Sequence, residues 1–232
     1  MPLNIDAFTQ AGLKAEELAT EVWLVEDFVS AEEIKEVFDY VATVKEEAWI
    51  EHYMEHLRDR AERDFGTRDI EKLNEEGKFP ITFDWADKTL PLFNFKILET
   101  INNGITGIAA YDPNLYFEGS GTLQRQYEGS DLKVHIDNHV DPHVAYAAVI
   151  YLNDDYNYGE VIFPEQGLEL KPKPGSMLFF SSADTHPHGV NPPGPGPLRY
   201  VIPCFIKQKE LPEGFVHAPY EVHEKYHTHK KY

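Results

Sequence analysis

Residues 133–143 read KVHIDNHVDPH and place three histidines and two aspartates in eleven positions. In an extended strand, side chains two apart share a side, so His135 and Asp137 project together while Ile136 faces the other way. An imidazole and a carboxylate on one face supply two of the three protein ligands of a mononuclear metal site. A later stretch, DTHPHGVNP, offers His186 and His188 about fifty residues beyond Asp137, both with the same strand parity. Two histidines and one carboxylate on one side of a metal leave three positions open, the arrangement of non-haem Fe(II) oxygenases. His139, Asp141 and His143 read as rim or loop residues. Eleven residues after His188 stands Arg199, in a run that is otherwise almost wholly apolar, PLRYVIPCFI. A cation there is costly unless an anion meets it, and its planar fork suits a carboxylate. That anion is either an internal acid or an acidic cosubstrate.

The elements that must position these groups come in two textures. In EDFVSAEEIKEVFDYVATVKEE, Ser30 and Glu33 form a capping box, and Ile34, Val37, Phe38 and Val41 recur at helical spacing. The pattern predicts a second helix over AWIEHYMEHLRDRAERDF, with Ile50, Tyr53, Met54, Leu57 and Ala61 on one stripe, and a third around LFNFKILETINNGI. From about residue 115 the chain changes to short β-rich runs split by turn residues: GTLQRQYEG, LKVHID, HVAYAAVIYLN, GEVIFP, LELKP, GSMLFFSS, HPHGV and PLRYVIPCFI. Eight candidate strands in under a hundred residues point to a sandwich or jelly roll, not a parallel sheet. The expected architecture is mainly β with α: a helical support region over 1–112, a jelly-roll core over 113–207 and an extension over 208–232, in one compact domain.

Composition narrows the function. The 232 residues, 42% hydrophobic, suffice for one large core. The formal net charge is −19, and residues 1–112 carry 25 acids against 11 bases. Such a balance argues against binding a nucleic-acid backbone, whose affinity comes from Lys and Arg. The chain has one cysteine, Cys204, so an internal disulfide is excluded and a reducing compartment is expected. With no apolar run long enough for a membrane span, the expectation is a cytoplasmic protein without membrane partners.

Taken in order, the runs QYEGSDLKVHID, AAVIYLNDDYNYGEVIFPEQGLELKPKPGSMLFF and PHGVNPPGPGPLRYVIPCF resemble the Fe(II)- and 2-oxoglutarate-dependent dioxygenases. The likeness is greatest to the prolyl 4-hydroxylase group, particularly the oxygen-sensing prolyl hydroxylases with their YYLN and PHEV…RY segments. It covers roughly residues 120–207, and EDFVSAEEI resembles the helix that usually opens the family's fold. The resemblance implies a double-stranded β-helix with His135, Asp137 and His188 as iron ligands. It assigns Arg199 to the distal carboxylate of 2-oxoglutarate, Tyr151 to the same carboxylate and Tyr127 to the pocket lining. His188 is preferred over His186 because it holds the histidine position of PHGV. Implied cofactors are Fe(II), 2-oxoglutarate and O2, with ascorbate as reductant. The implied reaction hydroxylates a target proline in a protein or peptide, releasing succinate and CO2. Two departures stand out: the family's GG before the fourth strand is Tyr158-Gly159 here, and the segment from His139 to His143 is short.

Competing readings remain. HYMEH at 52–56 fits the H-x-x-E-H pattern of a zinc peptidase, with His52 and His56 as ligands and Glu55 as base. On a helix, however, those three fall opposite the apolar stripe. A dioxygenase acting on lysine, a small molecule or a nucleobase would share the same iron centre, and a silent jelly-roll binding module would keep the fold without turnover. The charged stretch 64–80 is a candidate lid, and the tail HAPYEVHEKYHTHKKY, with four histidines, a polar terminus. The acidic surface favours a partner with a basic exposed loop.

Overall fold

The computed structural model describes residues 12–43, 49–52, 83–86, 115–118, 123–130, 132–211 and 213–216. Among these, the chain opens with strands β1 (Lys14–Ala19) and β2 (Val22–Glu26) and helix α1 (Ala31–Val41). Three short strands follow, β3 (Trp49–His52), β4 (Phe83–Ala86) and β5 (Leu115–Glu118). Next come β6 (Gln124–Gln126), β7 (Leu132–His135), the one-turn helix α2 (Asp137–Val140) and β8 (Val144–Tyr151). The chain continues through β9 (Val161–Phe163), β10 (Leu168–Leu170), β11 (Met177–Ser181), β12 (His188–Val190) and β13 (Arg199–Gln208). All eight β-rich runs read from the sequence after residue 115 contain a strand.

The strands form two antiparallel sheets. The larger runs β1-β2-β11-β8-β13-β6-β4-β3, with β5 also paired to β13, and the smaller runs β10-β9-β12-β7. The expected mainly β jelly roll of two sheets is present, with helix α1 outside the larger one.

Side-chain alternation decides what each face of the large sheet does. Ala148, Ile150 and Leu152, with Met177, Phe179, Ile202 and Cys204, lie on one face and pack with Trp23, Val25 and Val37. Helix α1 covers this face. Its start is set by Ser30, whose hydroxyl accepts the Glu33 N–H at 3.2 Å while the Glu33 carboxylate accepts the Ser30 N–H at 2.8 Å. The helix buries Val37, adds Ile34, Phe38 and Val41 at the margin, and seats Phe38 edge-on to Tyr200, ring centres 5.3 Å apart. Gly175, at φ +85°, sits where a Cβ would come 2.4 Å from the Val29 carbonyl oxygen. Only glycine lets the β11 turn close on the segment leading into α1.

The intervening residues, Ala147, Tyr151, Leu178, Phe180 and Val201 with Val22, face the small sheet and pack with its Val161 and Phe163. This interior layer is where the metal-type residues lie.

One element within residues 1–112 departs from the helical reading. Among the described residues this region holds one helix and four strands. Trp49–His52, expected to open the second helix, instead pairs with Phe83–Ala86, which in turn pairs with β6. Trp and Ile fit a pleated surface well, and a partner strand far along the chain outweighs the local helical period. Because His52 ends a strand, the first histidine of HYMEH does not stand on a helix as the peptidase reading needs. Glu55 and His56 lie outside the described residues, as do the third helix candidate, the stretch 64–80 and the tail from 217. Among the described residues no helix is long and apolar enough to cross a membrane.

Candidate metal centre

Strand β7 delivers His135 at its last position, and Ile136 stays extended (φ −126°, ψ 123°) before α2 begins at Asp137. The sequence reading placed both residues on one strand. The strand in fact ends between them, yet the single extended residue preserves the shared orientation. Strand β12 lies beside β7 with His188 directly opposite His135. The three side chains therefore converge: His135 Nε2 lies 3.3 Å from Asp137 Oδ1, and His188 Nε2 lies 3.6 Å from Asp137 Oδ2. Their candidate ligand atoms all fall within 4.8 Å of one another. Gly189 is needed at this crossing, because a Cβ there would meet the β7 backbone at 2.8–2.9 Å.

The remaining atoms of the triad are already committed. His135 Nδ1 is 2.7 Å from the Lys133 carbonyl and His188 Nδ1 is 3.1 Å from the His186 carbonyl. A backbone carbonyl can only accept, so each Nδ1 carries the proton and each Nε2 presents a lone pair to the centre. The Ser182 hydroxyl, fully buried, donates to Asp137 Oδ2 at 3.4 Å. Burial also governs protonation: His135, Asp137 and His188 are only 5%, 7% and 7% exposed. Burial pushes His188 down to about 4, so it is a neutral imidazole near neutral pH. Burial works against the Asp137 charge, but His188, His135 and the Ser182 hydroxyl outweigh it and keep the carboxyl below its usual range. At His135 burial is likewise outweighed, by the Asp137 carboxylate, and the imidazole is raised. Two imidazole Nε2 atoms and one carboxylate, almost sealed from water, fit a divalent transition metal such as iron.

Phe163 and Phe180 wall the centre, their ring centres 5.6 and 4.5 Å from the His188 ring. Both belong to the interior cluster that also contains Tyr151. Against Tyr151 stands Arg199, 2% exposed, its guanidinium carbon 5.2 Å from the Tyr151 ring centre. Register explains the placement: Val201 pairs with Tyr151 on β8, so Arg199, two residues earlier, points to the same interior. Arg199 Nη1 donates to Gln126 Oε1 at 2.6 Å, while its Nε is buried with no partner among the described residues. A buried guanidinium held by a neutral amide, with a donor to spare, fits an anionic ligand and not an internal ion pair.

The other expected residues are placed as follows. Tyr151 is buried against Arg199. The Tyr127 ring centre lies 5.4 Å from the Arg125 guanidinium, and the β6 residue that bonds Arg199 is Gln126. Alternation is the reason, since Gln126 pairs with Arg199 and Arg125 with Tyr200 on the helix-covered face. His186 is a support, not a ligand: its Nε2 bonds the Thr20 carbonyl at 2.9 Å, and its own carbonyl holds His188. His139 bonds Asp184 at 3.0 Å, Asp141 bonds Lys207 at 2.7 Å, and His143 bonds the Gln208 carbonyl at 2.8 Å. These contacts anchor the rim. Two residues escape the sequence reading, Gln126 and Tyr156. Tyr156 is 1% exposed, and the Arg199 guanidinium lies 5.8 Å from its ring centre.

Comparison with known proteins agrees with this geometry. Residues 122–207 match the family model of the 2OG-Fe(II) oxygenase superfamily. Prolyl 3-hydroxylase 2 of Mus musculus is 46% identical over 50 residues, 19% of this chain and 7% of that protein. The Homo sapiens protein matches to the same extent. The likeness thus spans only a small part of these curated relatives. Among solved structures, the viral collagen prolyl hydroxylase of Paramecium Bursaria Chlorella virus-1, in complex with 2OG, superimposes with a TM-score of 0.55 at 15% identity. It covers 82% of this chain and 97% of that one. A prolyl hydroxylase from Trichoplax adhaerens, bound to a hypoxia inducible factor oxygen degradation domain peptide fragment, also gives 0.55, at 13% identity, covering 89% and 88%. At such identities the solved structures establish the fold alone. Residues 122–207, which contain the buried triad and Arg199, thus match the 2OG-Fe(II) oxygenase superfamily, whose reaction uses Fe(II), 2-oxoglutarate and O2, and the triad is of a kind that could hold that iron.

Proposed function

We propose that this chain is a prolyl hydroxylase, inserting one oxygen atom from O2 into a prolyl residue of a protein or peptide. The coupled reaction converts 2-oxoglutarate to succinate and CO2, so one oxygen atom goes to the C–H bond and the other to succinate. His135, Asp137 and His188 would hold Fe(II), and Arg199, with Tyr151 beside it, would hold the distal carboxylate of 2-oxoglutarate. When bound, iron and cosubstrate supply the oxidising chemistry. The chain's own residues do the placing. The Lys133 and His186 carbonyls fix the imidazoles with Nε2 inward, Ser182 steadies the Asp137 carboxylate, and Gln126 aims the Arg199 fork. Phe163 and Phe180 exclude water beside His188, which strengthens the charge interactions inside.

The prolyl half of this reading is carried by the 46% match to a prolyl 3-hydroxylase. Two prolyl hydroxylases among the structures of similar fold support it. Charge supports a protein partner as well: an excess of 14 acids over bases in residues 1–112 repels a phosphate backbone and steers a basic loop toward the site. The test is to incubate the chain with Fe(II), 2-oxoglutarate, ascorbate and a panel of proline-containing peptides. The expected product is a gain of one oxygen on a prolyl residue, lost in His135→Ala, with NMR distinguishing C3 from C4 hydroxylation. Oxygen appearing on lysine or on a free small molecule would overturn the prolyl assignment. So would a methylated nucleobase turned over faster than any peptide.

A further inference from the structure

The loop between β8 and β9 carries a buried phenol that none of the assigned roles uses. Tyr156 is 1% exposed, and its buried hydroxyl feels the Arg199 guanidinium yet makes no hydrogen bond of ordinary geometry among the described residues. A buried hydroxyl left unpaired costs stability, so such groups are rare and ask for an explanation. The second unpaired polar atom nearby is Arg199 Nε, and the Arg199 guanidinium lies over the Tyr156 ring at 5.8 Å. Tyr151 joins them. The Arg199 guanidinium lies 5.2 Å from its ring centre as well, and burial raises its phenol while Arg199 opposes the rise.

The ring of Tyr156 is held from its other sides. Lys171 Nζ lies 4.2 Å from the ring centre and donates to the Tyr156 carbonyl. Gly159, at φ +72°, packs so tightly that a Cβ would stand 3.0 Å from the Tyr156 ring and 3.3 Å from Arg199 Cδ. The chain thus keeps a fixed aromatic in place while leaving its polar end unmet.

We infer that the Tyr156 hydroxyl and Arg199 Nε are a matched pair of donors for the distal carboxylate of 2-oxoglutarate, making Tyr156 a specificity-determining residue for a five-carbon diacid. This rests on the cosubstrate reading given above. A carboxylate has acceptor sites enough to take both donors, and charge-assisted bonds of this kind are about twice as strong as neutral ones. Both atoms then lose their unpaired state in a single binding event.

The test compares two ligands on two full-length chains, with Mn(II) in place of Fe(II), by calorimetry. 2-Oxoglutarate carries the distal carboxylate; 2-oxobutyrate keeps the keto acid end and lacks it. Tyr156→Phe removes only the hydroxyl and leaves the ring against Gly159 and Lys171. It should weaken 2-oxoglutarate about tenfold or more while leaving 2-oxobutyrate within about twofold. The ligand-free variant should melt no lower than the wild type, because an unpaired hydroxyl holds nothing. Equal weakening of both ligands, or no change in either, overturns the role of Tyr156. So does a lower ligand-free melting point with 2-oxoglutarate binding intact. If the wild-type chain itself binds neither ligand, the cosubstrate reading falls and this inference with it.

Discussion

The two faces of the large sheet are built from alternate residues of the same strands, and they do opposite things. On the helix-covered face, Ile150, Met177, Phe179, Ile202 and Cys204 are apolar, buried and packed against one another. On the interior face, at the alternate positions of β8 and β13, stand Tyr151 and Arg199, a buried phenol and a buried cation. Removing side-chain volume should damage the first face, and removing charge should damage the second. A fold optimised only for stability would not keep a guanidinium with a bare Nε among Phe, Val and Leu. Local rules of polar satisfaction are broken where a ligand is to be held.

The largest expected effects come from crossing these two roles. Phe179→Ala, on the helix side, should cost about 3–5 kcal/mol of folding stability by opening a cavity, while the folded fraction keeps its 2-oxoglutarate affinity. Arg199→Met should do the reverse. It exchanges a buried charge for an apolar chain of similar length, so the ligand-free protein should be as stable or more so. Cosubstrate affinity should fall by about 3–5 kcal/mol, because the bound carboxylate is left buried without its partner. Denaturant unfolding and calorimetry on both variants read the two effects separately. A destabilised Arg199→Met with unchanged 2-oxoglutarate affinity would mean that Arg199 belongs to the packing, and the contrast between the faces would collapse.

A smaller effect is expected at Ser182, which sits at the seam. Ser182→Ala removes the hydroxyl that donates to Asp137 Oδ2 and leaves the fold's apolar contacts alone. Partners behind metal ligands are typically worth about 10–100-fold in metal affinity, so a Mn(II) titration should show a loss in that range. The melting point of the metal-free chain should move little. A large fall in metal-free stability with normal Mn(II) affinity would place Ser182 on the packing side instead.

What was legible in the sequence follows the same division. The interior ligands were legible in part: His135 and Asp137 stand two apart across one extended residue, so alternation puts them on one side, whereas His186 and His188 share a parity and only the family resemblance singles out His188. Arg199 could be read because a charge in an apolar run is an anomaly by itself. Gln126 and Tyr156 left no such mark. Each is an ordinary polar residue in its local run, and each matters only through a partner set by strand register or by a loop return. Register is a long-range property, 73 residues for the Gln126–Arg199 contact. The same blindness explains Trp49–His52, where a local helical stripe masked a strand whose partner lies more than thirty residues on.

The smallest effect concerns the rim, which belongs to neither face. Asp141 closes α2 and accepts from Lys207 Nζ at 2.7 Å and from the His143 backbone N–H at 2.9 Å. Partial burial works against its charge, but these two donors outweigh it and hold the carboxyl below the usual range. A carboxyl lowered on folding contributes stability that is present above its unfolded value, ordinarily 3.8, and is lost as pH falls through its folded value. Lys207→Met should therefore cost under about 1 kcal/mol near neutral pH, as expected for a part-exposed pair. The difference from wild type should shrink in strong salt and vanish once the solution is acid enough to protonate Asp141 in both states. Because Asp141 anchors the rim and not the metal ligands, Mn(II) affinity should be unchanged in Lys207→Met. A loss of metal binding there would show that the end of α2 holds Asp137 in place, and the rim would have to be counted with the interior face.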